Sequence, residues 1–292
     1  MRVVSGISLR NLRLYFRDPL NVFFSLLGAL IVFALYALFL GNLQVVSISQ
    51  SVPGADEDLV RGFVDAWMLA AIVALTTITT PLGALSVFNE DASSGRFRDF
   101  LVSPIRRGQL VLGYIGSAFT VGVVMSLIAL AISLVYLWLN SGIALTVAQT
   151  LRVVLWTVLS TAAFTALWSF IVPFLRTSGA FAALSTVVGT VAGFVAGAYI
   201  AVGLFPAAVK DVVSALPFAQ SAMLMRREFT GEPLDELVGG HEPAVAELSD
   251  FYGITLHVGT WEVPGWFAIA ALVGMTIAFA GLAASRIRAR IR

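Results

Sequence analysis

Residues 110–139 read LVLGYIGSAFTVGVVMSLIALAISLVYLWL, a run without one acidic or basic side chain. An α-helix needs about 20 apolar residues to cross the hydrocarbon core of a bilayer, so this run is long enough to tilt or to project beyond it. Working outward in both directions, five more stretches of the same kind lie at approximately 21–42, 66–88, 153–175, 179–205 and 263–285. The 292-residue chain is 59% hydrophobic and 12% charged, with a mean hydropathy of +0.92, whereas soluble domains carry about 25% charged residues. The expected fold is an all-α membrane protein with six transmembrane helices, an N-terminal interfacial amphipathic helix and a helical outer segment before the last span. One transmembrane domain over 1–292 accounts for the whole length, and no second soluble domain fits.

Charge segregation predicts the orientation. With six crossings and a cytoplasmic N-terminus, the inner pieces hold Arg2, Arg10, Arg13, Arg17, Arg96, Arg98, Arg106, Arg107, Arg176, Arg286, Arg288, Arg290 and Arg292. The outer pieces hold only Arg61, Arg152, Lys210, Arg226 and Arg227. This division obeys the positive-inside rule and the opposite one breaks it. Both termini are expected to be cytoplasmic. Met1 to Pro19 lack the short apolar core and cleavage site of a signal peptide, so no cleavage is expected.

Between the spans, residues 1–20 read as an interfacial helix, with Arg10, Arg13 and Arg17 on one face and Leu9, Leu12 and Phe16 on another. The outer connection 43–65 contains turn chemistry around Pro53-Gly54. The second span carries Thr76, Thr77, Thr79, Thr80 and Pro81. These residues fit a kink patched by hydroxyls, or a polar stripe lining a cargo cavity. Segment 89–108 is the only sizeable inner loop. Phe97, Phe100 and Leu101 recur there at helical spacing among charges, up to Ser103-Pro104, and such an aromatic face suits docking onto another protein or lying on its own bundle. Gly189, Gly193 and Gly197 recur every four residues in the fifth span, which allows close helix packing within the subunit or between subunits. In the outer segment 206–262, Pro217 to Phe229 read as a short surface helix and Gly231 to Asp250 as acidic and turn-rich. The segment is too apolar for a solvated linker, and its halves are expected to pack on the outer ends of the fifth and sixth spans.

Several chemistries find no residues. Cysteine is absent. The one lysine, Lys210, sits in no phosphate loop, and His241-Glu242 is not followed by a second histidine at the spacing of a zinc motif. No metal site or catalytic residue is expected. The spans offer no charged group for a proton relay and no base to activate a hydroxyl nucleophile. Energy for moving a cargo must come from elsewhere.

At segment 89–108 the chain resembles the permease subunits of type-2 ABC exporters. Glu90-x-x-x-x-Gly95, followed by Phe100-Leu101-Val102-Ser103-Pro104-Ile105-x-Arg107, is similar to that family's E-x-x-x-G-T-x-E-x-L-x-x-(S/T)-P-(I/V) segment. One extra residue separates Glu90 from Gly95, and Phe97-Arg98-Asp99 replaces the usual polar run. The resemblance implies that this loop is a coupling helix pressed into a groove on a separate cytoplasmic ATPase. Phe97, Phe100 and Leu101 would be its apolar anchors, and Arg96, Arg98 and Arg107 its charged rim. It also implies a second permease subunit, like or unlike, in a bacterial plasma membrane. ATP and Mg would be bound by the partner ATPase, with no cofactor in this chain. The cargo would be lipophilic or amphipathic: a drug, an antibiotic, a lipid or a glycan-lipid. A transporter or channel powered without ATP, or a membrane-embedded lipid-modifying enzyme, are the competing readings.

Overall fold

A computed structural model describes residues 2–51, 54–97, 105–239 and 241–290. Eleven described α-helices follow in order: α1 (Arg2–Arg17), α2 (Pro19–Leu35), α3 (Gly41–Ser51), α4 (Glu57–Ala84), α5 (Ser86–Ser93), α6 (Arg107–Ser141), α7 (Val147–Ile171), α8 (Ser178–Val195), α9 (Ala207–Ala215), α10 (Pro217–Val238) and α11 (Glu242–Phe251). A two-stranded hairpin, β1 (His257–Val258) and β2 (Trp261–Glu262), precedes the last helix, α12 (Gly265–Arg290). Six segments are long and apolar enough to span: Pro19–Gln50, Glu57–Ser93, Gly108–Ser141, Val147–Phe174, Ser178–Val195 and Gly265–Ser285. An even number of crossings puts both termini on one side, called here the terminal side. The chain between the fifth and sixth spans then lies on the far side.

The first span is longer than its apolar run. A π-helical turn, Tyr36–Leu40, joins α2 to α3, so the helix continues to Ser51. The expected outer connection 43–65 thus shrinks to a few residues before α4 starts at Glu57. Asn42 and Ser47 are exposed on this continuation, and Gln44 Oε1 accepts the Tyr252 hydroxyl at 2.9 Å. Ends are fixed by local chemistry. Asp18 accepts hydrogen bonds from the Leu20 and Asn21 amides, both at 3.1 Å, ahead of Pro19 at the first helical position. Thr146 and Gln149 form a reciprocal capping box on α7.

The second span is the axis of the bundle. Almost every residue from Val60 to Leu82 is buried, with α2, α3, α6, α7 and α10 packed around it. Close approach is written into Gly122 of α6, where an added Cβ would lie 2.7 Å from Thr161 Cγ2 and 2.9 Å from the Pro81 ring. Pro81 removes one backbone donor from α4. The indole of Trp168 in α7 donates to the nearby Ile78 carbonyl at 2.8 Å, tying the fourth span to the stretch around Pro81. Trp261 and Trp266 stay exposed at the start of the last span, as an interfacial belt requires.

The far-side segment departs from expectation. Pro217–Val238 is one 22-residue helix, not a short surface helix followed by turns. Pro233 sits within it, and α11 follows where the acidic stretch suggested turns. Ala219 to Arg226, Phe229 and Thr230 are buried, chiefly against α4 and α7 and less against the fifth and sixth spans. Small residues explain the fit: Ala219, Ser221 and Ala222 let α10 approach closely, and Ser221 bonds Ser160 of α7 at 2.8 Å. Arg152 grips Glu228 through both carboxylate oxygens at 2.8 Å and fixes the same seam from its rim.

Candidate functional site

On the terminal side the chain builds a junction around one carboxylate. Asp91, in α5 at the end of the second span, is fully buried. Arg10 of α1 donates to it bidentately, Nη1 to Oδ2 at 2.6 Å and Nη2 to Oδ1 at 3.0 Å. Arg96 adds a bond to Oδ1 at 3.2 Å, and the Tyr114 hydroxyl of α6 donates to Oδ2 at 2.5 Å. The hydrogen bonds from Arg10 to Asp91 raise the Arg10 pKa above its ordinary value despite partial burial. Charge-assisted, bidentate bonds of this kind are the strong ones. Below the carboxylate, Phe88, Phe97 and Tyr114 form an aromatic trio with centroid separations of 5.3, 5.3 and 6.0 Å. The N-terminal helix is sealed to α6 by Asn11 to Ser117 at 3.2 Å, Ser8 to the Gly113 carbonyl at 3.1 Å, and Ile7 against Gly113.

This junction revises the residue roles expected from sequence. Phe97 is only 8% exposed and belongs to the trio, so its ring is occupied within the subunit and is not free as a docking anchor. Arg96 spends its charge on Asp91 while remaining half-exposed. Arg10 has left the basic face it was expected to share, whereas Arg13 and Arg17 stay exposed. Glu90 is exposed, and its carbonyl accepts from the Ser93 and Ser94 hydroxyls at 3.1 and 2.7 Å. Gly95 has φ +77°, a backbone state that other residues adopt at a cost. Arg98, Phe100, Leu101, Ser103 and Pro104 lie outside the described residues. Arg107 opens α6, where Gln109 Oε1 accepts the Arg106 amide at 3.1 Å.

Beside the junction, a cleft of about 420 Å³ runs between α2, α4 and α8. Most of its positions, among them Asn21, Ser25, Gly83 and Phe181, belong to the halves of the spans nearest the termini, and Val188 and Gly189 extend it past the middle of the fifth span. Asn21, Ser25, Thr79, Ser185 and Thr186 supply amide and hydroxyl groups, and Phe24, Leu82 and Phe181 supply apolar wall. Among the described residues, no charged side chain lines it. The Ser185 hydroxyl is buried and finds no partner among the described residues. Of the threonines expected in a polar stripe, only Thr79 reaches this cleft. Thr76, Thr77 and Thr80 are buried and turn back onto the Val73, Ala74 and Thr76 carbonyls at 2.7 Å, as hydroxyls around a helix proline do.

The four-residue glycine spacing does not make one face. Gly189 is open, with nothing within 4 Å of an added Cβ, and it borders the cleft. Gly193 is covered by the Tyr199 ring of the same chain, which leaves no room for such a Cβ. Gly197 lies past the end of α8 with φ +63°. It serves there as a left-handed helix stop.

On the far side, Asp250 of α11 collects Lys210 Nζ at 2.5 Å and His257 Nδ1 at 2.9 Å. Burial raises the Asp250 pKa, but the bonds from Lys210 and His257 outweigh it and hold the carboxyl below its ordinary value. Its stabilising contribution is therefore complete above the unfolded carboxyl pKa of about 3.9 and fades as the pH falls toward the lower folded value. Asp250→Asn is expected to lower the thermal midpoint at pH 7 by an amount worth less than about 1 kcal/mol, because the pair is partly solvated. The gap from wild type should narrow at about pH 3, below the unfolded carboxyl pKa. An equal gap at both pH values in detergent melts would refute the ion-pair role.

Residues 41–285 match the ABC-2 family transporter proteins. The chain belongs to that family. It is a multi-pass membrane transport component rather than an enzyme, and the match takes in the second span with Asp91, the α4 and α8 walls of the cleft, and the far-side cap formed by α9, α10 and α11. It begins at residue 41, so α1 and most of the first span lie outside it. No curated protein sequence matches the chain significantly. The features that this ABC-2 permease hides from sequence reading are Asp91 and Arg226. Both are charged residues in polar stretches whose burial depends on helices far away in sequence.

Proposed function

We propose that this chain is the transmembrane subunit of an ATP-driven exporter, docked on separate ATPase subunits that bind ATP and Mg. The observation that carries the reading is the Asp91 junction. The segment joining Phe97 to Ile105 is anchored at its start by Arg96 and Phe97 and at its end by α6. Both anchors are clamped to α1 through one carboxylate. A force applied to that segment by a docked partner would reach the second span, the third span and the N-terminal helix together. On this reading the terminal side is cytoplasmic, as the arginine distribution favours, and the membrane is the bacterial plasma membrane.

The cleft is the proposed cargo route. Its amide, hydroxyl and phenyl groups without a charge suit an amphipathic or lipophilic cargo better than an ion. It opens between the first and fifth spans, which are the least covered by the rest of the subunit together with the sixth. A second permease, like or unlike, would complete the route on that side, with Gly189 leaving room for close approach.

The test is the pair Phe100→Ala/Leu101→Ala, assayed with the ATPase encoded beside this gene or co-purified with the protein. Truncating interface anchors costs about 2 kcal/mol or more, so ATPase binding and cargo-stimulated hydrolysis should fall by at least tenfold while the permease stays folded. A double variant that binds and stimulates as wild type does would remove the docking assignment.

A further inference from the structure

A second buried charge lies on the far side, and no counter-ion meets it among the described residues. Arg226 of α10 is 0% exposed. None of the ion pairs formed among the described residues includes it. Its Nη2 donates to the Ala196 carbonyl at 2.6 Å and the Gly197 carbonyl at 2.7 Å, the two residues just past α8. These carbonyls stand at the negative end of the helix dipole of the fifth span, where a cation is favoured. The guanidinium carbon sits 5.4 Å from the Trp67 ring of the second span, an attractive placement for a cation. Two glycines with left-handed backbones press on it. A Cβ at Gly197 would come 3.0 Å from Nη2, and one at Gly253 would come 3.0 Å from Nη1. One side chain thus touches the outer end of the fifth span, the middle of the cap helix, the second span and the turn after α11.

The site is also incompletely satisfied. Among the described residues, Nε and Nη1 of Arg226 find no hydrogen-bond partner, nor does the nearby Tyr36 hydroxyl in the π-helical turn of the first span. Burial lowers the Arg226 pKa to about 10, which leaves it charged at neutral pH. A buried cation with unused donors is better solvated in any arrangement that admits water or an acceptor.

We propose that Arg226 is the latch of the far-side gate: it holds the end of the fifth span against the cap and the second span, and the gate opens when its two carbonyl contacts break. The inference rests on the exporter reading for its role in transport, since a cargo leaving on the far side must pass the end of the fifth span. The latch itself is a property of the subunit alone.

The experiment uses the full-length protein in detergent and a hydrophilic maleimide, exploiting the absence of native cysteine. Ala201, fully buried just beyond the latch, is changed to Cys as the gate reporter. Ala118, 1% exposed in α6, is changed to Cys as a packing reporter. With Arg226 intact, both label slowly. In Arg226→Gln, labelling of Ala201→Cys should accelerate at least tenfold while Ala118→Cys stays slow, and Arg226→Lys should fall between, since it keeps the charge but loses the paired donors. Slow labelling at Ala201→Cys in Arg226→Gln overturns the latch. Fast labelling at both positions also overturns it, because Arg226 would then hold the whole bundle together. No ATPase or cargo enters this measurement, so it can fail while the coupling test succeeds, or the reverse.

Discussion

Arg10→Met destabilises the permease by about 2–3 kcal/mol and separates α1 from the bundle. Removing one member of a buried ion pair costs about 3–5 kcal/mol, because the other charge remains buried without its partner. Here Asp91 keeps Arg96 and the Tyr114 hydroxyl, which moderates the loss. Asp91→Asn in the same background should recover part of it, because the amide no longer needs a cation, and replacing both partners is milder than removing one. The reading is the thermal midpoint of the detergent-purified protein for wild type, both single variants and the double variant, taken as a cycle. Additive effects would mean that the 2.6 and 3.0 Å contacts contribute no coupling and that α1 is held by contacts such as those of Ile7, Ser8 and Asn11.

Gly122→Leu is expected to be at least as damaging, at about 3 kcal/mol or more. Overpacking by a few methylenes commonly costs about 1–3 kcal/mol when the surroundings yield. At this position one neighbour is the Pro81 ring, fixed to the backbone of the most buried span, and the other is the Thr161 methyl in the middle of α7. Neither can swing aside as a surface side chain would. Gly189→Leu provides the contrast, since its added side chain enters open space. The monomer should tolerate it, and any effect should appear on assembly or transport. Equal melting points for wild type and Gly122→Leu would refute the close three-span contact.

What could be read from sequence follows the range of each interaction. Hydrophobic run length is local, so six spans, the amphipathic start and the helical character of the far-side segment were all legible. The helical course beyond Leu40 was not, because Asn42, Gln44 and Ser47 look like loop residues until the π turn carries the helix on. Nor was the depth of α10: its Ala and Ser positions resemble an undistinguished surface helix, and only the matching faces of α4 and α7 show why small residues are needed. The junction illustrates the same limit. Arg10 and Asp91 are 81 residues apart, so no periodicity links them, and Phe97 reads as exposed because its neighbours in sequence are charged. The one local signal was Gly95, whose left-handed backbone agrees with the glycine of the family segment.

The position of α10 sets an order of assembly. Spans two and four bury their facing surfaces against a helix that is not synthesised until the fifth span is complete. During synthesis, those surfaces must be held open by lipid, by an insertion factor or by transient contacts, because Ser160, Ser221 and Arg226 find their partners only after residue 238 has emerged. A nascent chain halted after the fifth span would have five inserted helices and an unfilled seam at its centre. Final packing of this permease is therefore a late event that begins on the far side of the membrane.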